Sequence, residues 1–165
     1  MMQADVREEV LAHLRAIGVD FSFHTHLPAC TMEECLGLPF AEDDVTFCKN
    51  ILLCNRQETA FYLYVTLPDR AFRTSEVSRA LHSSRLSFAR EEYLETLLHL
   101  HTGSLTPLGL WFDEERRVQL ALDGGILKRA RIAFHPCRND ATVIFRTEDF
   151  IGKVVPSLGR EPVII

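Results

Sequence analysis

Hydrophobic and polar positions along the chain change period several times, and each change marks an element. Val6, Val10, Leu14 and Ile17 recur at helical spacing, and Gly18 stands where that helix would end. "DFSFHTH" then alternates with period two, setting Phe21 and Phe23 on one face of a strand and Ser22 and His24 on the other. "TMEEC" has the form of a short helix capped by Thr31, with Glu33 and Glu34 in its first turn. From Phe47 to Leu67, "FCKNILLCNRQETAFYLYVTL" predicts two apolar strands around the polar turn "NRQE". "TSEVSRALH" and "REEYLETLLHL" predict helices. "VQLALD", "ARIAFHP", "ATVIFR" and "PVII" predict strands, and "TEDFIGKVV" a closing helix capped by Thr147. Hairpins mixed with helices argue for an α+β or mixed-sheet fold over strict βα alternation.

Composition bounds this picture without redirecting it. The 165 residues are most naturally a single domain spanning 1–165, and 47% hydrophobic with 25% charged residues is ordinary for a globular protein. The opening "MMQADVREEVLAHL" is acidic where a signal peptide would be basic, and no run approaches the ~18 apolar residues of a membrane helix. Five cysteines without a CxxC pair favour reduced thiols, and hence a cytoplasmic location, over a disulfide framework. The net charge of −5 conceals an asymmetry: residues 1–48 carry nine acids and two bases, the remainder fourteen acids and sixteen bases. Within that remainder, Arg70, Arg73, Arg79, Arg85 and Arg90 fall in one short stretch, and Lys128, Arg129, Arg131 and Arg138 in another. Two local basic stretches on an acidic protein fit a small polyanion footprint better than a long duplex groove, although solvated helix faces would also produce them.

The chemistry starts from an oddity. Lys49 and Asn50 stand near the start of an apolar strand, so either the strand begins at the surface or a charge is held at the lip of a pocket. Cys48 beside Lys49 could suggest an activated thiol, but strand neighbours point to opposite faces, which favours a structural Cys48 and likewise a structural Cys54. GxSxG, P-loop and GxGxxG motifs are absent from the sequence. His24, His26, Cys30 and Cys35 follow HxH-x3-C-x4-C, a spacing that matches no structural zinc pattern, so neither metal nor another cofactor is expected. What remains is "GSLTPLGL", with glycines bracketing Thr106-Pro107, and "FHPCRNDAT", with His135 at a strand end and Asn139 in the following turn.

Taken in order, "PACTMEE", "CKNILL", "GSLTPLGL" and "FHPCRNDAT" resemble the YbaK/ProX superfamily of aminoacyl-tRNA editing domains. The resemblance is closest to its free-standing alanyl-tRNA(Pro) deacylase branch, the prolyl-tRNA synthetase associated domains. It runs from about Val6 to Leu158, and four collinear motifs are far more specific than any one. It implies a mixed, mainly antiparallel sheet flanked by helices and a hydrolase that removes a small amino acid from mischarged tRNA(Pro). Lys49 matches the family's essential lysine. Asn50 follows it in the K-N strand, Gly103 and Pro107 match the G-x-x-x-P loop that contains Thr106, His135 matches the pocket histidine, and Asn139 and Thr142 match the turn beyond. The sequence departs where relatives carry a second basic residue before the lysine, since Thr46, Phe47 and Cys48 stand there. It also has Ile51-Leu52-Leu53 where Leu-Phe-Leu is commoner.

What the resemblance implies is chemically economical. An aminoacyl ester is already activated, and a lysine near its ordinary pKa of ~10.4 is a poor base at neutral pH, so Lys49 is expected to grip the terminal phosphate–ribose region or stabilise developing negative charge. The family mechanism is thought to use a ribose hydroxyl of the terminal adenosine to position the water. Backbone N–H groups of the 103–107 loop are expected to hold the ester carbonyl, and Cys30, Leu53 and His135 to wall the side-chain pocket. The expected partners are the acceptor end of mischarged tRNA(Pro) and, beside it, prolyl-tRNA synthetase. Alanine is the expected side chain, with a cysteinyl or other small aminoacyl ester as the alternative. From a different class, a non-catalytic module binding tRNA or a synthetase would keep the same fold.

Overall fold

The computed structural model describes residues 5–29, 31–39, 41, 44–101 and 103–165. Cys30, one of the expected pocket residues, lies outside the described residues. Helix α1 (Val6–Ala16) is capped by the Asp5 carboxylate, which accepts from the Arg7 N–H, and turns its Val10, Leu11 and Leu14 into the core. Gly18 follows at φ +77°, a conformation that favours glycine. Next come β1 (Phe21–Thr25), α2 (Met32–Leu36) with the Thr31 hydroxyl accepting from the Glu34 N–H, β2 (Val45–Phe47), β3 (Lys49–Cys54) and β4 (Phe61–Thr66). Helix α3 (Thr74–Ala80), the short β5 (Ser87–Phe88) and α4 (Glu91–Leu98) lead to a tight 3-10 turn over Pro107–Phe112. Strand β6 (Val118–Leu122), a second 3-10 turn (Gly124–Lys128), β7 (Arg131–Phe134), β8 (Ala141–Arg146), a helical segment over 147–157 and β9 (Val163–Ile164) complete the chain.

The strands form two sheets, ordered β1-β8-β7-β2 and β5-β3-β4-β6-β9. Antiparallel pairs predominate, with β2–β7, β4–β6 and β6–β9 parallel. This is the mixed, mainly antiparallel α+β architecture expected. One buried cluster joins both sheets to the helices, running from Leu14 of α1 through Leu52, Leu63 and Leu120 to Phe145 and Phe150. A second cluster, with Ile51, Leu53, Tyr64 and Val77, fills the opposite face of the five-stranded sheet under α3. Burial of a Leu- or Phe-sized side chain is worth about 1.5–3 kcal/mol, so these two layers dominate the stability of the sheet. Among the described residues, no helix is long and apolar enough to cross a membrane.

Edge strand β1 forms as expected, with Phe21 packed on the core and Phe23 37% exposed. Two expectations need correcting. The run from Phe47 to Cys54 is not one strand: Phe47 ends β2, the chain breaks at Cys48 and passes from one sheet to the other, and Lys49 opens β3. Thr147 does not cap the closing helix. Arg146 occupies that position, and the Thr147 hydroxyl is buried without a hydrogen-bond partner among the described residues. Thr147→Val keeps the shape and removes the unsatisfied hydroxyl, so it is expected to stabilise the protein by about 1 kcal/mol. A chemical-denaturation midpoint that falls instead would restore Thr147 as a working cap.

The charge asymmetry is partly closed inside the molecule. Asp44 pairs with Arg131 at 2.7 Å, Arg7 with Asp140 at 3.4 Å, and Asp5 with Arg138 at 3.4 Å. Some of the acids of the N-terminal segment thus neutralise the second basic stretch, which weakens that stretch as a polyanion footprint.

Candidate active site

Register explains why Lys49 and His135 meet. Strands β2 and β7 run parallel, with Phe47 opposite Ala133, so both leave the four-stranded sheet at the same end. The residues just beyond, Cys48-Lys49 on one strand and His135 on the other, therefore emerge side by side at the seam between the sheets. A cleft of about 350 Å³ opens there, lined by Ala29, Thr31, Met32, Cys35, Cys48, Lys49, Asn50, Leu94, Gly103, Leu105 and His135. Lys49, Asn50, Gly103 and His135, far apart in sequence, share this one hollow. A larger hollow of about 480 Å³ lies between α4 and the 113–117 turn, where Glu114 and Glu115 stand against Arg117, and none of the expected site residues lines it.

Each side chain has a defined anchor. Lys49 is half-buried, and its Nζ donates to the Arg70 carbonyl at 3.3 Å. Asn50 donates from Nδ2 to the Leu105 carbonyl at 3.1 Å, tying β3 to the glycine loop. Because a carbonyl can only accept, this contact fixes the amide orientation. It leaves Asn50 Oδ1 buried and without a hydrogen-bond partner among the described residues. An unsatisfied buried acceptor costs about 1–3 kcal/mol, a cost that a donor on a bound ligand would relieve.

His135 is held by a 2.8 Å contact from Nδ1 to the Ala141 carbonyl, which assigns the proton to Nδ1. Its Nε2 lies 3.7 Å from Cys35 Sγ, and its ring centroid is 5.9 Å from that of His26. Burial pulls the His135 pKa below the usual imidazole value, outweighing the Ala141 carbonyl, which acts in the opposite direction. The folded state thus prefers neutral His135. That contribution to stability is complete above the unfolded pKa of ~6.5 and is lost as pH falls through the lower folded pKa. Thermal melts from pH 7 down to 5 are expected to lose less stability in His135→Asn than in the wild type. Identical pH slopes would contradict a buried neutral imidazole.

The glycine loop is narrower in its possibilities than the sequence suggests. Gly103, at φ +88°, and Leu105 face the cleft. Ser104 spends its N–H on the His101 carbonyl at 3.0 Å. Thr106 and Pro107 are buried behind the lining, where the Thr106 hydroxyl accepts from the Leu108 N–H and Pro107 begins the 3-10 turn. Proline also lacks an N–H. Of the expected 103–107 loop, the residues that line the cleft are therefore Gly103 and Leu105.

Two further expected pocket residues are elsewhere. Leu53 is fully buried in the cluster under α3 and does not line the cleft. Asn139 contributes its backbone carbonyl, which accepts from the Ala29 N–H at 2.9 Å and so holds a lining residue in place. The Thr142 hydroxyl, buried, contacts His26 Nε2 at 2.8 Å. The lining residues not expected there are Ala29, Thr31, Met32 and Cys35, on and beside a short helix whose inward face no periodicity could announce, together with Cys48 and Leu94.

The cleft favours electrostatics over nucleophilic attack. Burial pushes the Cys48 thiol up to about 12, against a lowering pull from Arg129, so it is no thiolate at neutral pH. Cys54 is buried at the core. No carboxylate is among the described lining residues, and no group of three metal-ligating side chains occurs among the described residues. A fixed cation, backbone amides and a neutral imidazole around a small, largely apolar hollow suit a substrate that brings its own activation.

With this geometry in view, the chain's relatives are informative. The family model for the aminoacyl-tRNA editing domain matches residues 29–152. The chain belongs to the aminoacyl-tRNA editing domain family, whose hydrolases remove amino acids from tRNA by cleaving the aminoacyl ester. It is similar to the prolyl-tRNA editing protein ProX of Acetoanaerobium sticklandii, at 30% identity over 96% of both chains. The prolyl-tRNA synthetase associated domain-containing protein 1 of Xenopus laevis is 29% identical, covering 99% of this chain and 98% of its own. Among solved structures, a candidate trans-editing enzyme for prolyl-tRNA synthetase superposes with TM-score 0.70 at 16% identity, over 98% of this chain and 96% of its own. A protein described only as hypothetical superposes with TM-score 0.74, also at 16% identity, over 93% and 96%. At such identities these two speak to the fold alone.

Proposed function

We propose that the chain hydrolyses the ester of tRNA(Pro) mischarged with a small amino acid, alanine first. The observation that carries this reading is the shared cleft: Lys49, Asn50, Gly103 and His135 line one hollow whose other walls are mainly apolar or small. Similarity to a prolyl-tRNA editing protein over nearly the full chain supports the choice of tRNA. The terminal adenosine enters past Lys49, whose ammonium meets the phosphate–ribose region and the negative charge that develops at the ester. Asn50 Oδ1 accepts from the substrate's α-ammonium group, and the N–H groups of Gly103 and Leu105 face the carbonyl. A ribose hydroxyl positions the attacking water, which fits a lining without a carboxylate. His135, Cys35, Met32 and Ala29 then bound the side-chain pocket.

The logic is a second sieve. A synthetase pocket built for proline cannot strongly reject something smaller, because a missing methylene is worth only ~1–3 kcal/mol. An editing pocket sized for a methyl group excludes the proline ring by steric clash instead. The tRNA acceptor end is accordingly the partner, with prolyl-tRNA synthetase as the enzyme whose errors are cleared, and the cytoplasm as the site of action. Deacylation rates measured side by side on Ala-, Cys- and Ser-tRNA(Pro) test the choice of side chain. Alanine is expected to leave fastest. Faster loss of cysteine would keep the site and overturn the alanine assignment.

A further inference from the structure

Asp123 is fully buried, yet it belongs to no part of the cleft lining. Its carboxylate is fully engaged: Oδ2 accepts from the Thr66 hydroxyl at 2.6 Å, and Oδ1 from Arg70 Nη1 at 2.9 Å and from the Gly125 N–H at 2.8 Å. A buried carboxylate with this many donors is held rigidly, and it holds its donors rigidly in turn. Thr66 is the cross-strand partner of Lys49, so the network sits directly beside the lysine. Arg70 folds its guanidinium back onto Asp123 while its own N–H bonds to the Leu67 carbonyl at 3.3 Å. The Leu67–Arg70 turn is thereby pinned at both ends, and the pinned Arg70 carbonyl is the group that receives Lys49 Nζ.

We propose that Asp123 and Arg70 are positioning residues for Lys49. The buried carboxylate fixes the arginine, and the arginine's backbone carbonyl fixes the ammonium at the lip of the cleft. This rests on the reading of Lys49 as the functional charge. The competing role for Arg70, whose side chain is 52% exposed, is a direct contact to a tRNA phosphate. The two roles separate cleanly. A positioning residue acts through Lys49 and so lowers kcat, whereas a phosphate contact raises KM and steepens the salt dependence of wild type relative to the variant.

The chain's lysines are Lys49, Lys128 and Lys153, so protein labelled with [ε-13C]lysine gives few, assignable side-chain signals. In Arg70→Ala the Lys49 signal is expected to shift and sharpen as the ammonium loses its fixed partner, while that of Lys153 stays put. On Ala-tRNA(Pro), kcat is expected to fall roughly ten- to a hundredfold with KM nearly unchanged. In a Lys49→Ala background, Arg70→Ala is expected to cost nothing further. Asp123→Asn should move the same lysine signal; because this buried variant could fail to fold, the half-exposed Arg70→Ala carries the test. An unmoved Lys49 signal, or a rise in KM with a shallower salt dependence and additive losses in the double variant, would overturn the proposal. If the wild type hydrolyses no ester, the lysine signals still decide the positioning role, so the two failures are distinguishable.

Discussion

Lys49→Ala is expected to lower the single-turnover rate of Ala-tRNA(Pro) deacylation by about 10²–10³-fold, the loss typical of removing one donor aimed at developing negative charge. The fold should not suffer. Lys49 is half-buried at the first position of β3, and its side-chain hydrogen bond to the Arg70 carbonyl, at 3.3 Å, is exposed. Surface changes of this kind stay within about ±0.5 kcal/mol, so the melting temperature should barely move. Lys49→Arg tests geometry beyond charge. The guanidinium keeps the positive charge but is broader and planar, and at the mouth of a small cleft it is expected to recover only part of the lost rate. Full activity in both variants would remove Lys49 from the mechanism.

Arg160→Ala is the variant with the largest expected effect on stability. The Arg160 guanidinium is almost completely buried against Asp113, at 2.9 Å. It also donates to the carbonyls of Val118 at 2.7 Å, Leu110 at 3.1 Å, Asp113 at 3.1 Å and Leu158 at 3.2 Å. One side chain thus ties the tail of the chain to the start of β6 and to the Pro107–Phe112 turn, which carries the glycine loop into the cleft. Truncation leaves the Asp113 carboxylate and four carbonyls without this donor. Breaking one side of a buried pair costs about 3–5 kcal/mol. For a chain of this size that is a fall in melting temperature of roughly 6–20 °C. Arg160→Lys keeps the charge but not the fork of donors and should recover only part of the loss. By contrast, Glu148, paired with Arg146 at 3.0 Å with both side chains exposed, should tolerate alanine with a loss under about 1 kcal/mol. A melting temperature for Arg160→Ala within a degree of wild type would refute the anchor.

Most helices and strands could be read from the sequence because they follow simple periodicities with recognisable ends. Gly18 follows the end of α1, and Thr31 caps α2 as its sequence suggests. The sheet change at Cys48 could not be read that way. The run from Val45 to Cys54 has no glycine, proline or turn signal at Cys48, and β2 is only three residues long. Yet that change creates the seam in which the cleft lies, and the parallel β2–β7 register brings His135 to Lys49. The same break separates Leu53 from the cleft. Only the first two residues of β3 reach the seam, while Leu53 lies deeper and packs under α3.

The roles of polar residues were less legible still. Thr106 and Pro107 look like loop residues but are buried supports, because the apolar run "PLGLWF" winds into a tight turn against α4. Asp123 reads as a turn residue after a strand, and nothing local reveals that Thr66 and Arg70 will converge on it. Arg131 and Arg138 read as a basic stretch until the fold brings Asp44 and Asp5 to them. Such pairings depend on long-range topology, which periodicity does not encode. The collinear motifs succeeded where periodicity failed because they mark the same seam on four separate segments.

The measurement that bears most directly on the proposed editing role is the ratio of single-turnover deacylation rates on Ala-tRNA(Pro) and Pro-tRNA(Pro). A pocket that admits a methyl group and excludes a pyrrolidine ring predicts loss of alanine with the prolyl ester spared, a ratio of at least about 10² if the ring is excluded by more than a methylene's worth of energy. Equal rates on the two esters, or no hydrolysis of either by folded protein, would contradict it.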